Sequence, residues 1–242
     1  MKDANLSDSM LLKRFGATLG AFGMAYFRRR YVECAVFPLF SLWQCSKKCN
    51  FTTKKKKMMK TEFEKMRTEE RYSFADPEIA ASIAHAIDLC RQLQTMTLTD
   101  ERYRDVIERL IPGIPKSTTI CPPFHCDHGS GITIGEHTFL NYNCTILDGA
   151  YVRIGHHVLI GPNCQLYTPQ HPMNYLERRL PQETSHPISI GDDTWLGGGV
   201  IVCPGVTIGK RCIIGAGSVV TTDIPDDCMA VGVPAKVKRR LA

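Results

Sequence analysis

The chain reads as a mainly β protein in which short strands wind into a stacked triangular coil, preceded by a small helical region. Three observations predict this. From Ile134 onward an aliphatic residue returns at every sixth position, a glycine follows many of these aliphatics, and a small or β-branched residue stands four positions after each. Before that point the apolar residues keep the three- and four-residue spacing of helices.

Residues 1–58 read as a basic N-terminal extension, poorly ordered and closed by KKKKMMK at 54–60. Residues 1–60 hold 13 Lys and Arg against 3 Asp and Glu, while the remaining residues hold 17 against 21. The net charge of +6 is therefore a property of the extension, the rest is mildly acidic, and nucleic acid is not an expected partner. The apolar runs at 15–27 and 31–45 both fall short of the roughly 20 residues that span a bilayer, and Glu33 and Pro38 interrupt the second. No membrane partner is expected beyond interfacial attachment of a basic amphipathic segment. Eleven irregularly spaced cysteines fit reduced thiols in a cytoplasmic protein rather than a disulfide framework. Cys45 and Cys49 lack the second ligand pair that a zinc site needs.

Residues 59–118 form the helical region. In DPEIAASIAHAIDLCRQLQTM, Asp76 is placed to cap a helix that has Pro77 at its first position and Glu78 in its first turn. Ile79, Ile83, Ala86, Ile87, Cys90 and Leu93 give it one face to bury, with His85 on the polar side. A second helix follows in TDERYRDVIERLIPG, with Thr99 and Asp100 as capping residues and Pro112 and Gly113 as the stop.

Residues 119–242 form the coil. Ile134, Leu140 and Ile146 stand six apart, as do Ile154, Ile160 and Leu166, and again Ile190, Leu196, Val202, Ile208, Ile214 and Val220. The companion column includes Thr138, Cys144, Ala150, Val158, Cys164, Thr194, Val200, Val206, Cys212 and Ser218, so Cys144, Cys164 and Cys212 read as small packing residues. Two interruptions break the register. Two residues are inserted between Ile146 and Ile154, and a loop at 167–189 is thrown out between Leu166 and Ile190. A long irregular loop in a compact repeat domain is a place for function.

Residues 61–242 carry EERYSFADPE, CDHGSGITIG, FLNYNCTILD, YTPQHP, ISIGDDTWLGGGVIVCPGVTIG, IIGAGSVVTTDIP and AVGVPAKVKR. In these the chain resembles the hexapeptide-repeat acyltransferases, and within them the maltose and galactoside O-acetyltransferases. Hexapeptides alone give only the fold, whereas the HP loop followed at fixed distance by WLGG belongs to this subgroup. The resemblance implies a left-handed parallel β-helix, against the usual right-handed crossover. It also implies a homotrimer with acetyl-CoA sites between subunits.

The resemblance places the catalytic histidine on His171, a general base for the attacking hydroxyl. It places an active-site asparagine on Asn141, and an acidic residue that orients the imidazole or binds the acceptor on Glu183. The oxyanion donor falls on the backbone N–H of Gly198, where a glycine permits close approach, and Trp195 lines the site. Acetyl-CoA contacts fall on Ala216, Thr221 and Thr222, with Lys236 and Arg239 facing its phosphates. The acceptor contacts implied are Asp127, Asn141 and Asp148. One family acceptor aspartate meets Gly149 here, and another meets Ser73 or Phe74.

The stretch CPPFHCDHGSG at 121–131 also carries the makings of a metal site. Zinc would need Cys121, His125, Cys126 and His128 to converge. Two prolines and a strand-like exit crowd that arrangement, so no metal is expected, and the resemblance implies that Asp127 contacts the acceptor. The expected activity is transfer of acetyl from acetyl-CoA to a hydroxyl of a sugar or sugar-like small molecule. The alternatives are the same chemistry on a xenobiotic or secondary-metabolite hydroxyl, a zinc-dependent β-helix carbonic anhydrase, and a non-catalytic β-helix scaffold. His156 and His157 do not supply the pattern that the carbonic anhydrase needs.

Overall fold

The computed structural model describes residues 59–241. The basic extension, with Cys45 and Cys49, lies outside the described residues.

Helix α1 (Glu62–Arg67) opens on a capping box in which Thr61 accepts from the Glu64 amide and Glu64 accepts from the Thr61 amide. Helix α2 (Pro77–Leu93) is capped by Asp76, whose side chain accepts from the Glu78 amide at 2.9 Å. Its buried stripe is Ile79, Ala86, Leu89, Cys90 and Leu93. Ile87 does not belong to that face: it is exposed, and Leu89 takes the inward place. Helix α3 (Tyr103–Leu110) starts later than its capping residues suggest. Asp100 accepts from the Arg102 amide at 2.9 Å, and Thr99 pairs with the Thr97 hydroxyl, so neither caps the helix itself. Gly113, at φ +81°, then turns the chain after Ile111.

The coil has three faces of parallel strands. The first stacks Thr119–Ile120, Phe139–Leu140, Leu159–Ile160, Trp195–Leu196, Ile213–Ile214 and Cys228–Val231, and Lys236–Arg240 returns antiparallel along its last strand. The second stacks Phe124–Cys126, Cys144–Leu147, Gln165–Tyr167, Ile201–Val202 and Val219–Val220. The third stacks Ile132–Ile134, Val152–Ile154, Ile188–Ile190 and Thr207–Ile208. In-register pairing aligns the aliphatics into columns such as Leu140, Ile160, Leu196 and Ile214. All twelve predicted aliphatics are buried, each contributing about 1.5–3 kcal/mol by leaving water. The stack begins earlier than the register in the sequence, with Ile120 and Cys126 filling the first coil.

The glycines after the aliphatics are required by packing between coils. A Cβ on Gly161 would lie 2.6 Å from the Gly198 nitrogen, and one on Gly191 would lie 2.6 Å from that of Lys210. Two residues further on, the left-handed conformation recurs at His137, Asn143, His157, Asn163, Asp193, Gly199, Gly205, Arg211, Gly217 and Asp227. The small column also has a polar role. The hydroxyls of Thr118, Thr138 and Thr194 and the thiols of Cys144 and Cys164 donate to the carbonyls of Gly135, Gly155, Gly209, Gly161 and Gly197 in the next coil. Each closes a carbonyl that the turn leaves open.

Replacing Gly191 with Ala drives a methyl group into backbone 2.6–2.7 Å away, at the corner that carries no candidate site residue. Overpacking of this kind costs about 1–3 kcal/mol. The expected outcome is a lower thermal midpoint by calorimetry, with turnover per folded molecule unchanged.

Candidate active site

The interruptions of the repeat all fall at one corner of the prism, between the second and third faces. Residues 127–131, 147–151 and 168–187 stack there on successive coils. The largest folds back as a hairpin, Pro169–Gln170 against Gln182–Ser185, and Tyr72–Ser73 of the helical region adds a third strand. Further bonds hold it: Arg71 pairs with Glu177 at 2.9 Å, the His186 Nδ1 lies 3.0 Å from Glu69, and the Phe74 amide donates to the Pro181 carbonyl.

His171 follows the first strand of that hairpin with its side chain 57% exposed. Its Nδ1 lies 3.4 Å from Oε2 of Glu183, whose side chain is 13% exposed, and the Phe74 ring stands edge-on at 6.1 Å. In the neutral imidazole this contact favours the proton on Nδ1 and leaves the Nε2 lone pair directed away from Glu183. The group can therefore take a proton from a ligand.

Asp127 lies at the same corner, half-buried. Burial, then the charges of Asp148 and Glu183, push its carboxyl up to about 6. Asp148 does not reach an acceptor. It is wholly buried, and its oxygens accept from the amides of His128 at 2.8 Å, Gly129 at 3.1 Å and Gly131 at 2.9 Å. Burial pushes this carboxyl up, against the amides and the Arg67 guanidinium that favour its charge. Arg67, with a side chain 7% exposed, lies between the rings of Phe63 and Tyr151. It donates to the Asp148 and Gly149 carbonyls and the Ser130 hydroxyl. Asp148 and Arg67 thus fasten α1 to the coil, and the expected acceptor contact at Asp148 is corrected to a structural one.

The other members of CPPFHCDHGSG diverge. Cys121 points inward, His125 outward, and Cys126 faces Cys90 with the sulfurs 3.9 Å apart. His128 turns to the Ser82 hydroxyl at 2.9 Å, and burial and the Arg67 charge push it down to about 4, so it is neutral at physiological pH.

Asn141, Gly198 and Ala216 stack at a different corner, between the first and second faces, with Trp195 exposed on the strand leading into it. The Asn141 Oδ1 accepts from the Tyr142 amide at 2.8 Å, leaving its NH2 free to donate. The amides of Gly197 and Gly199 donate to Ile214 and Pro162, whereas that of Gly198 has no acceptor among the described residues. The Ala216 amide, one coil further, is likewise open. Thr221 and Thr222 are exposed at the hairpin's corner on a later coil, and Lys236 and Arg239 on the returning strand. The structure therefore brings together His171, Glu183 and Asp127, and separately Asn141, Gly198 and Ala216. Between the groups lies the second face, three or four residues wide at about 3.3 Å each.

Tyr72, Ser185 and Arg67 had no reading in the sequence, and His128 was read only as a candidate zinc ligand. Their partners lie 46 to 113 positions away, and no local pattern marks such pairs.

A coil of hexapeptides with a carboxylate-supported histidine on its one long excursion defines an acyltransferase architecture. Residues 187–222 match the family model of the bacterial transferase hexapeptide (six repeats). Nodulation protein L of Rhizobium meliloti is 42% identical over 182 residues, 75% of this chain and all of its own length. The maltose O-acetyltransferase of Clostridium difficile 630 superposes with a TM-score of 0.74 at 37% identity, covering 76% of this chain and 98% of that one. A hexapeptide-repeat acetyltransferase of Vibrio cholerae, solved with acetyl coenzyme A, gives 0.71 at 39%, covering 76% and 100%. The chain belongs to the hexapeptide-repeat acetyltransferases, the family of the maltose and galactoside O-acetyltransferases.

Asp127 holds its proton to about pH 6 when folded, against 3.8 for the free carboxyl. Between these values the folded chain binds more protons than the unfolded one, so stability falls as pH rises through the interval. Asp127→Asn removes this loss. It is expected to raise unfolding free energy near neutral pH by about 2 kcal/mol after allowance for partial solvent contact, with the gain vanishing below pH ~4. Urea titrations across pH read the effect. Arg67→Ala leaves a buried carboxylate unpaired and is expected to lose roughly 3–5 kcal/mol in the same assay.

Proposed function

We propose that the protein is an acetyl-CoA-dependent O-acetyltransferase that moves acetyl directly onto a hydroxyl of a sugar or sugar-like small molecule. The observation that carries this is His171, whose Nδ1 faces Glu183 at 3.4 Å while Nε2 has no partner among the described residues. Nε2 takes the proton as the acceptor oxygen attacks the thioester carbonyl. The tetrahedral oxyanion is met by the open amide of Gly198. The carbon–sulfur bond then breaks, and the imidazolium returns its proton to the leaving thiolate. The donor is already activated, so no covalent enzyme intermediate is required.

The two halves of this machinery sit on different corners of one chain, which supports a homotrimer whose sites lie between subunits. The outward rows support it too. The third face presents Thr133, Arg153, Ser189 and Thr207, while the first presents Phe139, Leu159, Trp195 and Ile213. An exposed apolar row of that kind marks an interface. Trp195 then lies at the junction with the neighbour, and Ala216, Thr221, Thr222, Lys236 and Arg239 line the acetyl-CoA side. On the acceptor side the carboxyls of Asp127 and Glu183 lie near each other, which favours a neutral hydroxyl compound over an anion. The reading of a non-sugar acceptor is favoured by Gly149, where a Cβ would press on Ser185 and lie 3.2 Å from the Tyr72 hydroxyl. No side chain fits there to contact a sugar.

Thiol release from acetyl-CoA, measured with mono- and disaccharides and with non-sugar alcohols, tests the activity. His171→Ala is expected to lower the acceptor-dependent rate by about 10²–10⁴-fold. Retention of the parent rate would sink the assignment. The sharing of the site has its own test. Pro162 and Pro204 occupy the turn position equivalent to Gly198, so Gly198→Pro deletes the N–H at a place where the fold accepts proline. It is expected to lose about 10²–10³-fold in kcat. Mixed oligomers of Gly198→Pro and His171→Ala chains should regain activity, because some interfaces then carry both intact halves. No recovery would place the site within one chain.

A further inference from the structure

We propose that Tyr72 is a positioning residue for His171, acting through Glu183. The inference rests on the reading of His171 as the general base. The register of the three-stranded sheet sets the geometry. Tyr72 is paired with Glu183, and Pro169 and Gln170 with Ser185 and Thr184. One further step in that register puts His171 opposite Glu183. His171, Glu183 and Tyr72 therefore form one row across three strands, the arrangement in which side chains of adjacent strands meet.

The hydrogen bonds follow the row. The Tyr72 hydroxyl donates to Oε1 of Glu183 at 2.5 Å, while Oε2 of the same carboxylate faces the His171 Nδ1 at 3.4 Å. A tyrosine has one proton to give, so at the 3.0 Å contact the Ser185 hydroxyl donates to the Tyr72 oxygen. The donors converge on the carboxylate: Ser185 donates to Tyr72 and Tyr72 to one oxygen of Glu183, while the imidazole Nδ1–H faces the other. Tyr72 is only 2% exposed and shares a small apolar cluster with Met66 and Ile79. Burial and the Glu183 bond raise its pKa well above the ordinary tyrosine value, so the donor keeps its proton. A carboxylate free to swing away from Nδ1 would no longer favour one tautomer of His171. Fixed through one oxygen, it presents the other to Nδ1–H and leaves Nε2 bare. No atom of Tyr72 need touch substrate for this.

The space beside the row is closed as well. Gly149 lies against Ser185 and Tyr72, where any Cβ would intrude. The residue also joins two parts of the chain, because Tyr72 comes from the helical region and His171 from the coil's excursion. The helical region thereby sets the protonation geometry of the base.

The test is Tyr72→Phe in the full chain, which removes one oxygen. The ¹⁵N chemical shifts of His171 report its tautomer directly, with or without turnover. Expected are a parent with the proton on Nδ1, and a variant in which the Nε2–H tautomer becomes populated. With a competent acceptor, kcat should fall by roughly 10–100-fold with the KM for acetyl-CoA unchanged. Glu183→Gln should move both readouts at least as far. Ser185→Ala, which removes only the outermost donor, should shift the tautomer in the same direction by less. It serves as the test if Tyr72→Phe fails to fold by circular dichroism. A tautomer unchanged in Tyr72→Phe, or in Ser185→Ala where that variant stands in, overturns the proposal. Absence of acyl transfer by the parent would instead sink the catalytic reading, while the tautomer shift in Tyr72→Phe is measured independently of turnover.

Discussion

The closeness with which one coil lies on the next is the constraint from which the rest of the structure follows. At Gly161, Gly191 and Gly197 a single added carbon would sit 2.6 Å from a backbone nitrogen of the coil above. That distance rules out every other residue without a shift of the stack. The tightness also leaves turn carbonyls with no strand partner among the described residues. The threonines and cysteines four positions after each aliphatic supply the missing donors. Aliphatic, glycine and small donor are three consequences of one geometry, which is why they repeat together.

A stack this regular has little room for chemistry in its walls, so the irregular parts collect where they can be excluded without breaking register. Two-residue insertions on two successive coils and the long excursion on the next occupy one corner. They would hang loose without the helical region. Arg67 enters the lowest insertions and is held by two carbonyls, a hydroxyl and two aromatic faces. Tyr72 and Ser73 then extend the hairpin above it. A buried guanidinium opposite a buried carboxylate is a weak source of net stability, but it tolerates one geometry only. His171 inherits its position from that choice.

The coil was legible in the sequence because its period is short and local. The twelve aliphatics, the companion column and the excursion could all be read by counting, and each aliphatic lies where the count put it. The first coil escaped, since Ile120 and Cys126 precede an insertion that hid their register. A third column was present and unread: Asn143, Asn163, Asp193 and Asp227 are residues that tolerate positive φ, standing three after an aliphatic. Ile87 satisfied the helical spacing yet points to solvent, because periodicity does not tell which edge of an amphipathic stripe meets the coil. In the candidate site, His171 and Glu183 were named through the resemblance alone, and the hairpin of their shared loop sets them 3.4 Å apart. Asp148 was misjudged as a ligand contact because an aspartate in a turn looks the same from sequence whether it faces a substrate or the amides of residues 128, 129 and 131.

The turn geometry bears on the chemistry as well as on the packing. The amide two positions after an aliphatic finds no partner in the ladder of strands. At the corner between the third and first faces, side chains cover it on three coils, where Glu136 donates to His156, His156 to Asp192, and Lys210 to Asp226, while the amides of Asp192 and Asp226 have no partner among the described residues. At the corner between the first and second faces Pro162 has no N–H to cover, while Gly198 and Ala216 keep theirs without a partner among the described residues. An uncovered amide costs stability unless water or a ligand meets it. The fold thus generates donors of uniform direction as a by-product of its turns, and leaving two of them bare on adjacent coils produces a pair of outward-facing donors without a dedicated loop. On this view the β-helix supplies the electrostatic half of an acyl-transfer site, and the excursion and the helical region had only to add a correctly held base.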